Sequence, residues 1–286
     1  MLKKEKRHIK MLTKIEITNF KSFNEKFTFD FSQPKSFAFN TECIKNNTVN
    51  KAIVYGQNGC GKSNLGFAIF DLISHLTDKN KEPTYYQNYL NADSNEQWAT
   101  FNFEFKFDEN IVKYTYTKKN QEIIISEKIT INNQEFASID RVKSTKFRVY
   151  AKGTESLNTD IGDSNISIIS YIFKNSILEE NTINDTFNKF KKFVNGMLYF
   201  RSLNDRCYIG FEQGSRHISN DIINRGNLED FEQVLNDAGI RCKLESKVNN
   251  LENELFFVFK IKKLIFMILL PQVHNLYYYS IFGIKD

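Results

Sequence analysis

Apolar and polar residues alternate from Leu12 to Asn19, with Ile15 and Ile17 set against Glu16 and Thr18, and this period of two predicts a β-strand. After a polar turn at Lys21 and Ser22, Phe27, Phe29 and Phe31 alternate with Thr28 and Asp30, which predicts an antiparallel partner. Residues 52–55, Ala-Ile-Val-Tyr, are apolar without a break and stop at Gly56, the pattern of a short strand buried on both faces. From Lys62 to Leu76 the period changes: Leu65, Ala68, Ile69, Leu72 and Ile73 recur at helical spacing. Beyond a polar loop, alternating runs over 101–107, 111–117 and 123–131 predict a β-rich stretch, with Asn132 and Asn133 as a turn. The pattern turns helical over 175–200 and again over 227–238, ending near Gly239, and 255–260 predicts a last strand.

Between the apolar run and the helix lie Gly56, Gln57, Asn58, Gly59, Cys60, Gly61, Lys62, Ser63 and Asn64, which satisfy G-x-x-x-x-G-K-[ST] in the setting that spacing requires. Glycines at 56, 59 and 61 permit positive φ and let backbone approach an anion closely. The N–H groups from about Gly59 to Ser63 then point inward as a nest, and the helix N-terminus adds partial positive charge. In that pattern Lys62 reaches the β- and γ-phosphates of a nucleotide, and the Ser63 hydroxyl is a ligand for Mg²⁺. Cys60 occupies a variable position and reads as a small residue that fits the loop.

Two stretches carry a resemblance: Leu12-Thr-Lys-Ile-Glu-Ile-Thr-Asn-Phe-Lys-Ser-Phe23, and Asn50 through Leu65 around the loop. Together they resemble the opening of the RecF/SMC-like ATPases and, more narrowly, the OLD-related AAA ATPases of bacterial abortive-infection and anti-phage systems. The resemblance spans Met11 to about Asp78 and is weaker through 198–203 and 227–239. It implies an α/β fold: the N-terminal half of a P-loop NTPase head of the ABC type, with an antiparallel β-rich subdomain and a helical insertion. It further implies ATP and Mg²⁺ as ligands, Lys21 and Ser22 near the nucleotide, a homodimer through the heads, and DNA or an effector nuclease as partners. The domains expected are an extension over 1–11, the ATPase lobe with its β-subdomain over 12–140, a mixed insertion over 141–250, and a return strand with tail over 251–286.

Phosphoryl transfer also needs a carboxylate for the metal and a group that positions water. In the resembling family these come from an apolar strand ending in Asp-Glu and from a Ser/Gly signature motif. Neither pattern occurs here; Glu179 and Glu180 follow a polar Asn-Ser pair and read as a helix flank, and Asp71 lies on the helix after the loop. His75 and His217 have no local acid–base partner and read as structural or surface residues. The expected activity is therefore nucleotide binding by an ATPase head without its catalytic half, or a non-hydrolysing sensing or DNA-contacting module completed by another chain. The tail 264–286 fits neither a strand pattern nor the family. One frame over, the Met267–Ile268 codons force an Asp and the tyrosines at 277–279 force Leu-Leu, so a one-base slip near Lys262 and Lys263 is expected to have displaced the missing segment; the alternative is a genuine hydrophobic tail that packs on the last strand.

Composition narrows the classes. Among 286 residues, 41% are hydrophobic, with 27 Phe and 13 Tyr against 3 Pro, which suits a β-rich aromatic core. A net charge of +5 permits nucleic-acid contact without arguing for it, since the only dense basic block is Lys3 to Lys10 in the expected extension. Cys43, Cys60, Cys207 and Cys242 are far apart, with no C-x-x-C pair, which opposes a zinc site or disulfide framework and fits a reducing cytoplasm. No signal-peptide core is present, and the apolar run 264–270 is too short to span a bilayer, so no membrane role is expected.

Overall fold

A computed structural model of the chain describes residues 10–35, 39–77, 86–202, 207–210, 222–223, 226–237, 239–248, 253–258 and 263–265. Residues 1–9 of the expected extension, His217 and residues 266–286 of the tail expected to be out of frame lie outside the described residues. The chain divides into two compact units, Met1–Phe211 and Glu212–Asp286.

The first unit is built on one antiparallel sheet. Its strands are β1 (Lys10–Thr18), β2 (Phe27–Asp30), β5 (Ala99–Phe107), β6 (Asn110–Lys118), β7 (Ile124–Ile131), β8 (Gln134–Asp140) and β9 (Arg148–Val149), in the spatial order β2-β1-β5-β6-β7-β8-β9. A separate small hairpin joins β3 (Ile44–Lys45) to β4 (Thr48–Val49). The strand β1 takes in Lys10 and Met11, two residues earlier than the alternation starting at Leu12.

Alternation decides which face is buried. Ala99, Phe101, Phe103, Phe105 and Phe107 on β5 point to one side and are buried, as are Val112, Tyr114 and Tyr116 of β6, paired with them in register. Each Phe buried in this way is worth roughly 1.5–3 kcal/mol relative to leaving it exposed. The β7–β8 hairpin closes at Asn132 and Asn133, both at positive φ (51° and 63°), as a tight two-residue turn requires.

Helices cover the buried face. They are α1 (Lys62–Leu76), α2 (Ile168–Asn175) and α3 (Thr182–Asn195). Phe187 of α3 stacks on Phe136, and Phe190 meets Phe105 and Tyr114 edge-on. Asn181 caps α3 by accepting from Ile183 N and Asn184 N. The expected helical stretch 175–200 is thus corrected at both ends. Its true start lies at Thr182, and after Gly196 the chain enters β10 (Leu198–Ser202), paired with β11 (Cys207–Gly210). Glu179 and Glu180 precede α3, as a helix flank should.

In the second unit α4 (Leu228–Asp237) accompanies a three-stranded antiparallel sheet of β12 (Lys243–Val248), β13 (Asn253–Val258) and β14 (Lys263–Ile265). Leu235, Leu244, Leu255 and Phe257 form its core with Ile222. Among the described residues, no helix is long and apolar enough to cross a membrane.

The largest departure from the sequence reading concerns residues 52–55. They are not a buried strand: every one is exposed, with Ile53 at 90% and Tyr55 at 91% of full accessibility. The apolar run suggests burial by composition alone. Among the described residues, however, no strand pairs with it by backbone hydrogen bonds, and its side chains stay exposed.

Candidate functional site

The loop that follows these exposed residues is wound about its own lysine. Gly59 sits at φ +82° and Gly61 at φ +93°, and Gly61 is the N-cap of α1. No side chain caps this helix end, so its first N–H groups remain available to an acceptor. Lys62 Nζ donates to the carbonyls of Gly56 and Gln57, each at 2.7 Å, and lies 3.7 Å from Cys60 Sγ. A Cβ on Gly61 would stand 2.6 Å from Ser22 Oγ, so glycine is required there by close approach as well as by φ. Gln57, Asn58, Gly59, Cys60 and Ser63 are exposed, while Gly61, Lys62 and Asn64 are half-buried. Cys43, Cys60 and Cys242 are free thiols.

The Asn-Phe-Lys-Ser-Phe element meets this loop. Asn64 Nδ2 donates to Ser22 Oγ at 3.0 Å, so Ser22 stands directly against the first turn of α1. Lys21 turns elsewhere: its Nζ donates to the Gln87 carbonyl at 3.0 Å and lies over the rings of Phe20 and Phe67. Asn19 ties the element to residues 91–98. It is buried, donates through Nδ2 to the carbonyls of Glu96 and Trp98, and accepts from Asn91 N through Oδ1. Phe20, fully buried, packs edge-on against Tyr89 and Phe101.

A second polar cluster grips α1 from inside, and sequence reading missed it. Asp71, taken to lie along the helix, is fully buried and points into the sheet. Lys118 Nζ donates to its two oxygens at 3.2 and 3.1 Å, and Tyr89 and Tyr116 hydroxyls donate at 2.9 and 3.0 Å. Burial pushes Lys118 down from its ordinary value, and the Asp71 carboxylate acts against that. Both tyrosines are raised well above the usual phenol range, by burial first and then by Asp71. The signal was present in the pattern: Lys118 has the same strand parity as buried Val112, Tyr114 and Tyr116.

One turn on, His75 Nε2 meets Tyr114 Oη at 2.9 Å, while that hydroxyl donates to Glu127 Oε1 at 2.8 Å. His75 Nδ1 lies 3.9 Å from Asp71 Oδ2. Burial holds His75 well below its ordinary value, and the charge on Lys118 adds to this. Glu127 also accepts from Ser167 Oγ and Ile168 N, which ties β7 to the start of α2. A cavity of about 410 Å³ opens beside His75, lined by Ser74, Thr77, Gln121, Glu122 and Ser167. At a rise of about 1.5 Å per residue this lies roughly 20 Å along α1 from the loop, too far to belong to it.

The arrangement at the loop can hold an anion. It offers a lysine, backbone N–H groups at a helix start, and the Ser63 hydroxyl. Residues 43–70 contain no Asp or Glu. Among the described residues, no group of three or more His, Cys, Asp or Glu side chains is placed to hold a metal ion. No protein-family model matches this chain, and no curated protein matches it either.

Proposed function

We propose that residues 56–64 hold the phosphates of ATP, with Mg²⁺ at Ser63, in an ATPase head of the OLD/RecF-like kind that serves nucleic-acid surveillance, DNA repair or phage defence. The observation that carries this reading is the loop wound about Lys62, with Gly59 and Gly61 in the left-handed region and α1 starting at Gly61. The lysine rests on two neutral carbonyls. A phosphate oxygen competes for it effectively, because a bond between charged partners is roughly twice as strong as a neutral one. Backbone N–H groups at the start of α1 supply the remaining donors, and the helix dipole favours the negative charge.

The residues present fit the nucleotide better than they fit the metal. Ser63 offers one hydroxyl, and the neighbouring sequence offers no carboxylate. When bound, Mg²⁺ neutralises charge shared between the β- and γ-phosphate oxygens. The chain's own residues bind and orient the phosphates; none of those described at the loop is placed to take a proton from an attacking water.

A second reading, a non-hydrolysing module that another chain completes, is favoured by the exposure of Ile53 and Tyr55 just before the loop. Measuring ATP binding and ATP turnover separately on the same folded protein tests both readings. Binding without turnover is the expected result. Turnover that Ser63→Ala abolishes would overturn the second reading, and absence of binding would overturn the first.

A further inference from the structure

The cavity beside His75 lies within the first unit, and the nucleotide reading does not use it. Three segments meet there: the last turn of α1, the β6–β7 turn with Gln121 and Glu122, and residues 165–167 at the entry to α2. Its volume of about 410 Å³ falls in the range of small-molecule sites. Arg141 donates to the carbonyls of Ser164 and Ile166 at 3.4 and 2.6 Å, which ties the third segment to the end of β8. Two buried atoms of the lining residues lack a partner. Gln121 Nε2 and His75 Nδ1 have no hydrogen-bond partner among the described residues, and the His75 side chain is only 5% exposed. The hydroxyls around them are already committed: Ser74 donates to the Asp71 carbonyl, Thr77 to the Ile73 carbonyl and Ser167 to Glu127. A buried amide N–H without an acceptor is costly, so the cavity suits a ligand that brings one.

Charge sets the two ends of that ligand. At the inner end, Lys118 Nζ donates to Ser74 Oγ at 3.2 Å and Lys191 Nζ to the Leu76 carbonyl at 2.6 Å. Burial first, and then the charges of Lys118, Lys191 and Arg141, hold His75 below its ordinary value. Asp71 pairs with Lys118 and Glu127 with Arg141, which offsets two of these three charges. The inner end therefore favours an anionic acceptor. At the outer end Glu122 is exposed and forms no ion pair among the described residues, so it favours a cation. Ile166, half-exposed on the lining, offers apolar surface between them.

We infer that this cavity binds a small ω-amino acid as a zwitterion, its carboxylate accepting from Gln121 Nε2 beside His75 and its ammonium at Glu122. Gln121 and Glu122 are neighbours, with Cα atoms about 3.8 Å apart, so a spacer of a few methylenes spans the two. The amide of Gln121 gains the acceptor it lacks, and the methylenes lie against Ile166. Binding joins the end of α1, the β6–β7 turn and the entry to α2 through one molecule, and no covalent step is involved.

The test uses the full chain and three matched probes: 4-aminobutyrate, butyrate and butylamine. Each is titrated by ligand-observed NMR, and hydrogen exchange is followed over residues 74–77, 121–122 and 165–167. The zwitterion should bind tightest and slow exchange in these segments. Butylamine should bind at least about tenfold more weakly, because it cannot accept from Gln121, and butyrate about threefold, because an exposed ion pair contributes little. Gln121→Leu should weaken 4-aminobutyrate about tenfold, and Glu122→Gln should remove only its margin over butyrate. If Gln121→Leu does not fold, Gln121→Glu takes its place: the added carboxylate repels that of the probe, and binding should again be lost. Failure of all three probes to bind would overturn the inference, leaving a cavity that holds solvent alone. Butylamine binding as tightly as the zwitterion, or a folded Gln121 variant that binds 4-aminobutyrate unchanged, would overturn the placement of the carboxylate. Exchange slowed elsewhere and not in these segments would overturn the site. The cavity lies roughly 20 Å along α1 from the loop, so each outcome holds whether or not ATP binds.

Discussion

Replacing Lys118 with methionine should be among the most damaging single changes in the first unit. Methionine fills most of the volume, so the loss is electrostatic. Two donations to Asp71 at 3.1 and 3.2 Å and one to Ser74 Oγ at 3.2 Å disappear, and a fully buried carboxylate is left with two tyrosine hydroxyls. Hydrogen bonds to a charged group contribute about 1.5–3 kcal/mol each, and breaking a buried ion pair from one side costs about 3–5 kcal/mol, so the expected loss is about 3–5 kcal/mol. The double change Asp71→Asn with Lys118→Met removes both charges and keeps an acceptor for the tyrosines. It should cost at least about 1 kcal/mol less than the two single changes summed. Urea unfolding followed by the fluorescence of Trp98, the chain's single tryptophan, reports on this unit. A Lys118→Met protein within about 0.5 kcal/mol of the parent, or strict additivity in the cycle, would refute a stabilising pair.

Further outcomes follow from the same contacts. Because His75 is held neutral by burial and by Lys118, the unfolded chain binds a proton below about pH 6.5 that the folded chain refuses. Its contribution is complete above that pH and is lost as pH falls, at up to about 1.4 kcal/mol per unit, so the stability of the parent relative to His75→Gln should fall between pH 7.5 and pH 5.5. A flat difference would refute it. Gly61→Ala places a Cβ at φ +93° and 2.6 Å from Ser22 Oγ; it should cost about 1–2 kcal/mol in urea unfolding, and Ser22→Ala should relieve only the contact, not the backbone term. The purified chain should release no phosphate from ATP above background in a coupled assay, since among the described residues no group of three or more His, Cys, Asp or Glu side chains is placed to hold a metal ion.

Local chemistry made much of this fold legible. The β5–β8 hairpins could be read because alternating Phe and Tyr fix one buried face, and Asn132 with Asn133 tolerates the positive φ of the turn. The loop and α1 were legible for the same reason, since glycine positions and helical spacing are properties of adjacent residues. Helix α2 was not. Its Ile168, Ile169 and Ile172 carry no helical preference, and its Ser167 cap is reinforced by Glu127, which accepts from Ile168 N across 41 positions of sequence. Asp71 was misjudged because a helical position does not reveal the lysine that meets it from 47 residues away. Residues 52–55 show the limit most clearly. Their composition announces burial on two faces, but whether neighbours exist depends on strands that no local pattern supplies.

The central claim is that the loop wound about Lys62 binds the phosphates of ATP. Calorimetric titration of ATP with Mg²⁺ into the folded chain and into Lys62→Ala tests it directly, once urea unfolding shows the variant to be folded. Loss of the charged donor that now rests 2.7 Å from the Gly56 and Gln57 carbonyls should weaken binding at least about tenfold, or about 1.4 kcal/mol. A folded Lys62→Ala protein that binds ATP as tightly as its parent, or a parent that binds none, would contradict it.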